Sequence, residues 1–331
     1  MVFSLAKSFF LIYNVQKISQ RGHSIYSWTC PRFLFFIITE EVKDMDINKY
    51  ALFVDVAETK NFTKTGERMG YTQPGVSHIL KSMETELGFP LFVRTKRGIS
   101  LTPNAETILP IVRSMLAVNE QLEQTIAALK GLDTGHLTIA SFASISRNWL
   151  PTVIHAFQQD YPGIEIELLE GGTDDIVGWL NDNVADLGLV SRRHTEDLEW
   201  IPLYEDPLMA ILPKSFSTSC KSYPIMDMAA QPFIISAVGT DYDIHHALES
   251  SGINPNIRFS SMDDLAIVSM VANNLGVSIL PKLVIEGMDD QVLTLPLEPY
   301  FTRELGIAYS SAGNLTPAAR HFIEKVQEVL S

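Results

Sequence analysis

The sequence predicts an α/β protein in three parts: a winged helix-turn-helix, one long linker helix and an α/β body of two subdomains. Three observations carry this reading. Residues 46–101 hold short amphipathic segments broken by glycines and followed by strand, turn and strand. Residues 103–131 keep apolar side chains at a seven-residue spacing. From Gly135 onward, strand-like and helix-like segments alternate.

Composition narrows the class first. The chain has 331 residues, 46% of them hydrophobic, which suffices for sizeable cores and argues against a largely disordered chain. Two cysteines, Cys30 and Cys220, exclude a disulfide framework and fit a reducing, cytoplasmic setting. No apolar run reaches the roughly 18–20 residues of a membrane span. Net charge is −14, but unevenly spread. Residues 1–101 carry 13 Lys/Arg against nine Asp/Glu, and residues 102–331 carry 12 against 30. A mildly basic front on an acidic body is the asymmetry expected of a nucleic-acid-facing module.

Residues 1–44 contain "FFLIY" and "FLFFII" without a sustained period. They fail as a signal peptide, because the charge follows the first apolar residues and no small-residue cleavage site appears. An amphipathic membrane segment is one alternative. The favoured expectation is a translated leader. Glu40-Glu41-Val42 can be encoded by a purine-rich ribosome-binding sequence, at a suitable distance before Met45 as the real start. Intact mass of the natively expressed protein decides between them.

In the front module, Tyr50, Phe53, Val54, Val56 and Ala57 form the stripe of a first helix ending near Lys60. Asn61-Phe62-Thr63 turns and caps a second, Lys64–Met69, which Gly70 ends. Thr72 caps a third, with Pro74 in its first turn, where a missing amide hydrogen costs little. Val76, Leu80, Met83 and Leu87 give it one buried stripe, and Gly88 stops it. Two helices around a glycine turn make a helix-turn-helix. The following segments, Pro90–Arg94 and Ile99–Leu101, make a basic wing around Thr95–Gly98. With the apolar stripe inward, Thr72, Gln73, Pro74, Ser77, His78 and Lys81 are left at the outer start of the third helix. Gln pairs bidentately with adenine, Ser and His bond to bases or phosphates, and Arg94, Lys96 and Arg97 suit phosphates or the minor groove. Thr72 and Pro74 alone are as well explained by an ordinary cap; the whole arrangement is not.

Phe62-Thr63, Thr72-Gln73-Pro74-Gly75-Val76-Ser77, Met83-Glu84, Leu87-Gly88, Leu91-Phe92, Arg94 and Leu101-Thr102 resemble, in order and spacing, the winged helix-turn-helix of LysR-type transcriptional regulators. The chain departs from that pattern at Thr65-Gly66, where the family has two alanines, at Ile79 for a frequent Gln, and at Ala105 for a Gly. Thr65-Gly66 is expected to loosen the second helix, and Ile79 to remove a polar contact, so an operator sequence does not transfer from relatives.

Residues 103–131 read as one helix. Ile108, Met115, Leu122 and Leu129 recur by seven, and Ile111, Val118 and Thr125 lie three residues after the first three. Pro110 is expected to kink this helix or cost it a hydrogen bond. Packing on its own domain is one reading of the stripe. A two-helix coiled coil is preferred, because the stripe is narrow and its flanks polar. The resemblance implies a homodimer through this helix and a homotetramer of two dimers. A symmetric pair of recognition helices reads a palindromic operator on double-stranded DNA.

In the body, strands are predicted at 136–140, 164–169, 187–190, 208–212, 233–236, 257–259, 277–280 and 306–309. Helices are predicted at 149–161, 175–181, 244–250, 262–272 and 317–330. The sheets are expected to be mostly parallel, with ligand at the carboxyl ends of strands. Loops there carry Ser141 and Ser144, Thr173, and Thr240. Ser144, Thr173 and Thr240 are each explained singly as helix N-caps; as a converging set with Ser141 they indicate a cleft for a small-molecule effector. The resemblance covers nearly all of Met45–Leu330, places that effector between two subdomains, and matches Ser144 and Thr173 to effector-contacting positions. The body is also similar to periplasmic solute-binding folds. Asp174 at the mouth leaves the effector's charge open.

The expected organisation is a leader at 1–44, a DNA-binding domain at 45–103 and a linker and dimerisation helix at 104–132. The first effector subdomain is 133–206 with 303–331, and the second is 207–302. Asp241, Asp243, His245 and His246 do not read as a metal site, since the aspartates suit a helix start and adjacent histidines point apart. No nucleophile elbow, phosphate loop or nucleotide fingerprint is present, so no enzyme, catalytic residue or cofactor is expected. The reading is a transcription regulator under effector control, and the alternative is a solute-binding or sensor protein that does not touch DNA.

Overall fold

A computed structural model describes residues 16–20, 23–27, 46–95, 98–131, 133–217, 219–288, 290–311, 313 and 315–330. The chain divides into two units, 1–48 and 49–331. The front unit holds an antiparallel hairpin of β1 (Gln16–Gln20) and β2 (His23–Ser27), with Gln16 opposite Ser27 and Gln20 opposite His23. The expectation of a leader before Met45 falls mostly outside the described residues.

The helix-turn-helix forms from three helices and a hairpin. α1 (Ile47–Thr59) buries Leu52, Phe53, Val56 and Ala57. α2 (Phe62–Met69) starts two residues before its predicted start, because the Asn61 side chain accepts the amides of Thr63 and Lys64 at 2.9 and 3.2 Å. Gly70 ends it in the left-handed region at φ 74°. Thr65-Gly66 does not loosen this helix, contrary to the expectation. Thr65 Oγ1 lies 2.7 Å from Thr59 Oγ1, tying α2 to α1. A Cβ on Gly66 would stand 2.5 Å from the Tyr71 carbonyl oxygen, so the turn closes tightly over this glycine.

α3 (Gln73–Leu87) is capped by Thr72, whose hydroxyl accepts the Gly75 amide at 3.2 Å, and it buries Val76, Leu80 and Met83. β3 (Phe92–Thr95) and β4 (Gly98–Leu101) pair antiparallel, with Phe92 opposite Leu101 and Thr95 opposite Gly98. Glu84 near the end of α3 accepts the amides of Leu91 at 2.7 Å and Phe92 at 3.3 Å, which fixes the wing against α3.

α4 (Pro103–Leu129) is one helix with Pro110 inside it. Its first turns join the front core through Ala105 and Val112, with Ile108 and Met115 packed against it. Its later turns lie on the body, where Gln124 donates to the His136 carbonyl at 2.8 Å and accepts the Ala318 amide at 3.3 Å. Arg113 pairs with Glu58 of α1 and with Asp182 of the body, both at 3.3 Å.

The body carries two buried cores. One gathers Leu137, Ile139, Phe157, Ile176, Ile307 and Phe322; the other Phe233, Ile234, Ile267, Val271, Ile279 and Leu280. β5 (Thr134–Ser141) pairs parallel with β6 (Gly163–Glu170) and β7 (Leu187–Ser191). β8 (Glu199–Pro213) runs antiparallel to β12 (Ser278–Pro281), β13 (Val292–Glu298) and β14 (Thr302–Tyr309), and β14 closes antiparallel on β7. β9 (Tyr223–Pro224) extends the sheet beside β13, and β10 (Pro232–Ser236) pairs parallel with β11 (Asn256–Ser261). The sheets are therefore mixed rather than mostly parallel. β13 was absent from the sequence reading and β8 was read only as its second half. Both contain proline, and Pro202 and Pro207 make the first half of β8 look like a loop.

Helices cover the sheets: α5 (Ala143–Asn148), α6 (Leu150–Asp160), α7 (Thr173–Asn181), α8 (Tyr242–Ser250), α9 (Asp264–Ala272), α10 (Lys282–Ile285) and α11 (Pro317–Leu330). Among the described residues, no helix is long and apolar enough to cross a membrane.

Candidate functional site

Two places carry the chemistry that the sequence points to. The first is the start of α3. Thr72, Gln73, Pro74, His78 and Lys81 are exposed, and Ser77 is half-buried. Pro74, Ser77, His78 and Lys81 lie on the helix side away from Val76, Leu80 and Met83. A groove of about 380 Å³ brings Gln73 beside Lys60, Asn61, Thr63 and the wing residues Gly98 and Ile99. Arg94 stands in β3 opposite Ile99, while Lys96 and Arg97 lie outside the described residues. Lys60 and Thr63 were missed by the sequence reading. No local pattern signalled them, since only the packing of the folded chain sets them beside Gln73.

The second place is a cleft of about 490 Å³ in the body. Its walls come from both cores: Phe142, Ser144 and Arg147 of the β5–α5 segment, Glu170, Gly171, Gly172 and Asp175 from the end of β6 onward, Thr240 and Asp241 before α8, and Asp263 to Leu265 at the start of α9. Of the four sequence-predicted effector residues, Ser144 and Thr240 line it. Ser141 is buried and its hydroxyl meets that of Ser146 at 2.6 Å. Thr173 is buried and donates to the Thr240 carbonyl at 3.2 Å. None of Ser144, Thr173 and Thr240 is the N-cap the sequence suggested. Those positions fall to Phe142, Gly172 and Asp241. Thr240 Oγ1 is buried and has no hydrogen-bond partner.

Arg303 sits at the centre and was not foreseen. It is buried, and burial works against its charge, but Asp241, Asp206 and Asp264 outweigh this and raise its pKa. Its guanidinium reaches Asp206 at 3.0 Å, Asp241 at 2.8 Å and Ser144 Oγ at 3.1 Å. Asp206 also accepts the Leu283 amide at 3.0 Å; burial raises its pKa and the Arg303 charge pulls it back. Asp264 is pushed up to about 6, by burial first and then by Asp241, while Arg303 and the Ser236 hydroxyl oppose the rise. Asp243 is buried and rises for the same first two causes, and it is held by Ser191 and by Arg193 at 3.0 Å.

The two walls also touch directly. The amides of Thr173 and Asp174 donate to the carbonyls of Thr240 and Gly239 at 3.1 and 3.2 Å, and Tyr242 donates to Asp174 at 3.0 Å. A Cβ on Gly172 would meet the Gly239 carbonyl oxygen at 2.4 Å, so glycine is what permits this approach. Three of the four residues weighed for a metal are engaged otherwise: Asp241 with Arg303, Asp243 with Ser191 and Arg193, and His245 with the Ser236 carbonyl at 3.2 Å.

An exposed helix-turn-helix joined by a long helix to a body holding a polar cleft defines a DNA-binding regulator with a domain for a small molecule. Residues 47–106 match the bacterial regulatory helix-turn-helix proteins of the lysR family, and residues 130–331 match the LysR substrate binding domain. The chain belongs to the LysR family of transcription regulators, whose members are generally not enzymes. It is 32% identical to the uncharacterized HTH-type transcriptional regulator YvbU of Bacillus subtilis (strain 168) over 289 residues, covering 86% of this chain and 99% of that one. Its fold is similar to a full-length, singly substituted OxyR from Pseudomonas aeruginosa, with a TM-score of 0.69, 23% identity, and coverage of 86% and 94% of the two chains. It is also similar to full-length CbnR complexed with its target DNA, with a TM-score of 0.59, 20% identity, and coverage of 86% and 100%.

Proposed function

We propose that this regulator reads a palindromic operator with the starts of two α3 helices and is controlled by a small molecule held in the Ser144–Thr240 cleft. The observation that carries the reading is the exposed polar start of α3 beside the wing, on a chain whose body holds a separate polar cleft. Gln73, Ser77 and His78 meet base edges. Thr72, Lys81, Arg94, Lys96 and Arg97 meet phosphates, with Lys60 and Thr63 added to them, and Pro74 lets the backbone approach. Two chains pair through the apolar stripe of α4, where Ile111, Leu122 and Leu129 are 68%, 57% and 85% exposed in a single chain. Pairs of such dimers make the tetramer. In the cleft, Ser144 and Thr240 contact the effector directly. Ser141 and Thr173 hold its walls.

The protein works where the DNA is, in the cytoplasm, and it carries out no reaction. Effector binding shifts the population between two angles of the body's halves, which changes the spacing of the recognition helices. The test is salt-dependent binding of the full chain to the DNA upstream of its own gene, measured against a scrambled duplex. Specific retention supports the reading. Equal affinity for both duplexes overturns it and leaves the sensor without DNA binding.

A further inference from the structure

We propose that the ligand of this cleft is an organic cation, a protonated amine or guanidinium borne on an apolar body. The inference rests on the cleft being the effector site and names the chemistry it selects. Five carboxylates line the cleft, from Glu170, Asp175, Asp241, Asp263 and Asp264, against two guanidiniums, from Arg147 and Arg303. Both guanidiniums are used within the protein. Arg303 is spent on Asp206, Asp241 and Ser144. Arg147 donates to the carbonyls of Val284 and Leu283.

Five of the helix-start amides that would attract an anion are spent as well. Gly172 donates to Asp175, Asp243 to Asp241 and Leu265 to Asp263, at 3.1, 2.9 and 2.9 Å. Thr173 and Asp174 donate across to Thr240 and Gly239. An anion entering here meets walls on which carboxylates outnumber guanidiniums, and of the two guanidiniums Arg303 is already paired with Asp206 and Asp241. A cation meets carboxylate oxygens with lone pairs to spare. Burial first, and repulsion from Asp241 second, raise Asp264 to about 6, and a positive charge placed beside the two carboxyls relieves that repulsion.

An observation independent of charge marks the same place for a polar ligand. Thr240 Oγ1 is buried and without a hydrogen-bond partner, so it can accept from an incoming N–H as well as donate. Phe142, Met262, Leu265 and Val284 line the same space and give an apolar body its contact. The volume of about 490 Å³ suits a small metabolite.

The experiment is thermal unfolding and titration calorimetry of the full chain with 1,4-diaminobutane, agmatine and phenethylamine as cations, and succinate and benzoate as anions. The expected result is stabilisation by at least one cation and by neither anion. The affinity for that cation should fall about tenfold in Asp264→Asn and in Thr240→Val. Glu170→Gln changes an exposed side chain and keeps the test valid if the other variants fold poorly; it too should weaken the cation. Stabilisation by an anion that Thr240→Val abolishes overturns the cation class and leaves the cleft as the effector site. Stabilisation by any compound that all three variants leave unchanged overturns the cleft reading itself. No response to any cation up to about 10 mM overturns the class, since a ligand of millimolar affinity already raises the melting point at that concentration.

Discussion

Asp264 opens α9 with its carboxyl accepting the Ser236 hydroxyl at 3.3 Å, and it feels the charges of Asp241, Arg303 and Asp263. Its folded pKa of about 6 stands above the ordinary 3.8. Below pH 3.8 both folded and unfolded chains hold the proton, and the group costs nothing. As pH rises from there through 6, the folded state must ionise a carboxyl that resists it, and stability is lost. The full shift corresponds to about 3 kcal/mol, reduced by partial exposure to about 1–2 kcal/mol. Asp264→Asn should therefore stabilise the protein by that amount in urea unfolding at pH 7, with the gain shrinking towards zero near pH 4. At the other site, Gln73→Ala or Ser77→Ala should cost about 1–3 kcal/mol of discrimination between operator and scrambled DNA, while Arg97→Ala weakens both duplexes alike and flattens the salt dependence. Competition binding at several salt concentrations separates the two outcomes. Gln73 and Ser77 were legible because a local helix pattern fixes which side is buried. Arg303 was not, because its meaning depends on the Asp206 that strand pairing brings from 97 residues away. No spacing rule encodes that partnership.

The helix-turn-helix was legible almost whole at the level of elements, since its caps and glycines act within a few residues of themselves. Besides the start of α2, expected two residues late, its misreading is Gly66, a close approach of backbone that composition does not reveal. Gly66→Ala would place a methyl group 2.5 Å from a main-chain oxygen. We expect a loss of about 1–3 kcal/mol in thermal or urea unfolding of the front module. The long helix α4 keeps Ile111, Val118, Leu122 and Leu129 on its outer side, while Gln124 and Val112 face inward. Leu122→Glu should leave the helical circular dichroism signal intact, convert the assembly to monomers in sedimentation velocity, and lower operator affinity more than tenfold. The strands of the body were less legible. Prolines in β8 and β13 are tolerated because pairing continues on either side of them, a fact of tertiary context that local propensity opposes.

Across the whole molecule, two continuous strands, β8 and β14, pass alongside one another through the body, and Arg303 of one faces Asp206 of the other. Arg303→Met would leave Asp206 and Asp241 buried without their counter-charge. A loss of about 3–5 kcal/mol is expected in denaturant unfolding, and adding Asp206→Asn in the same chain should restore part of it. Arg303 bonds Asp241 on one wall of the cleft and Ser144 on the other, while Asp206 pairs its charge from the neighbouring strand. Any parting of the walls must therefore break a bond at this one side chain, yet without stripping it of its last counter-ion.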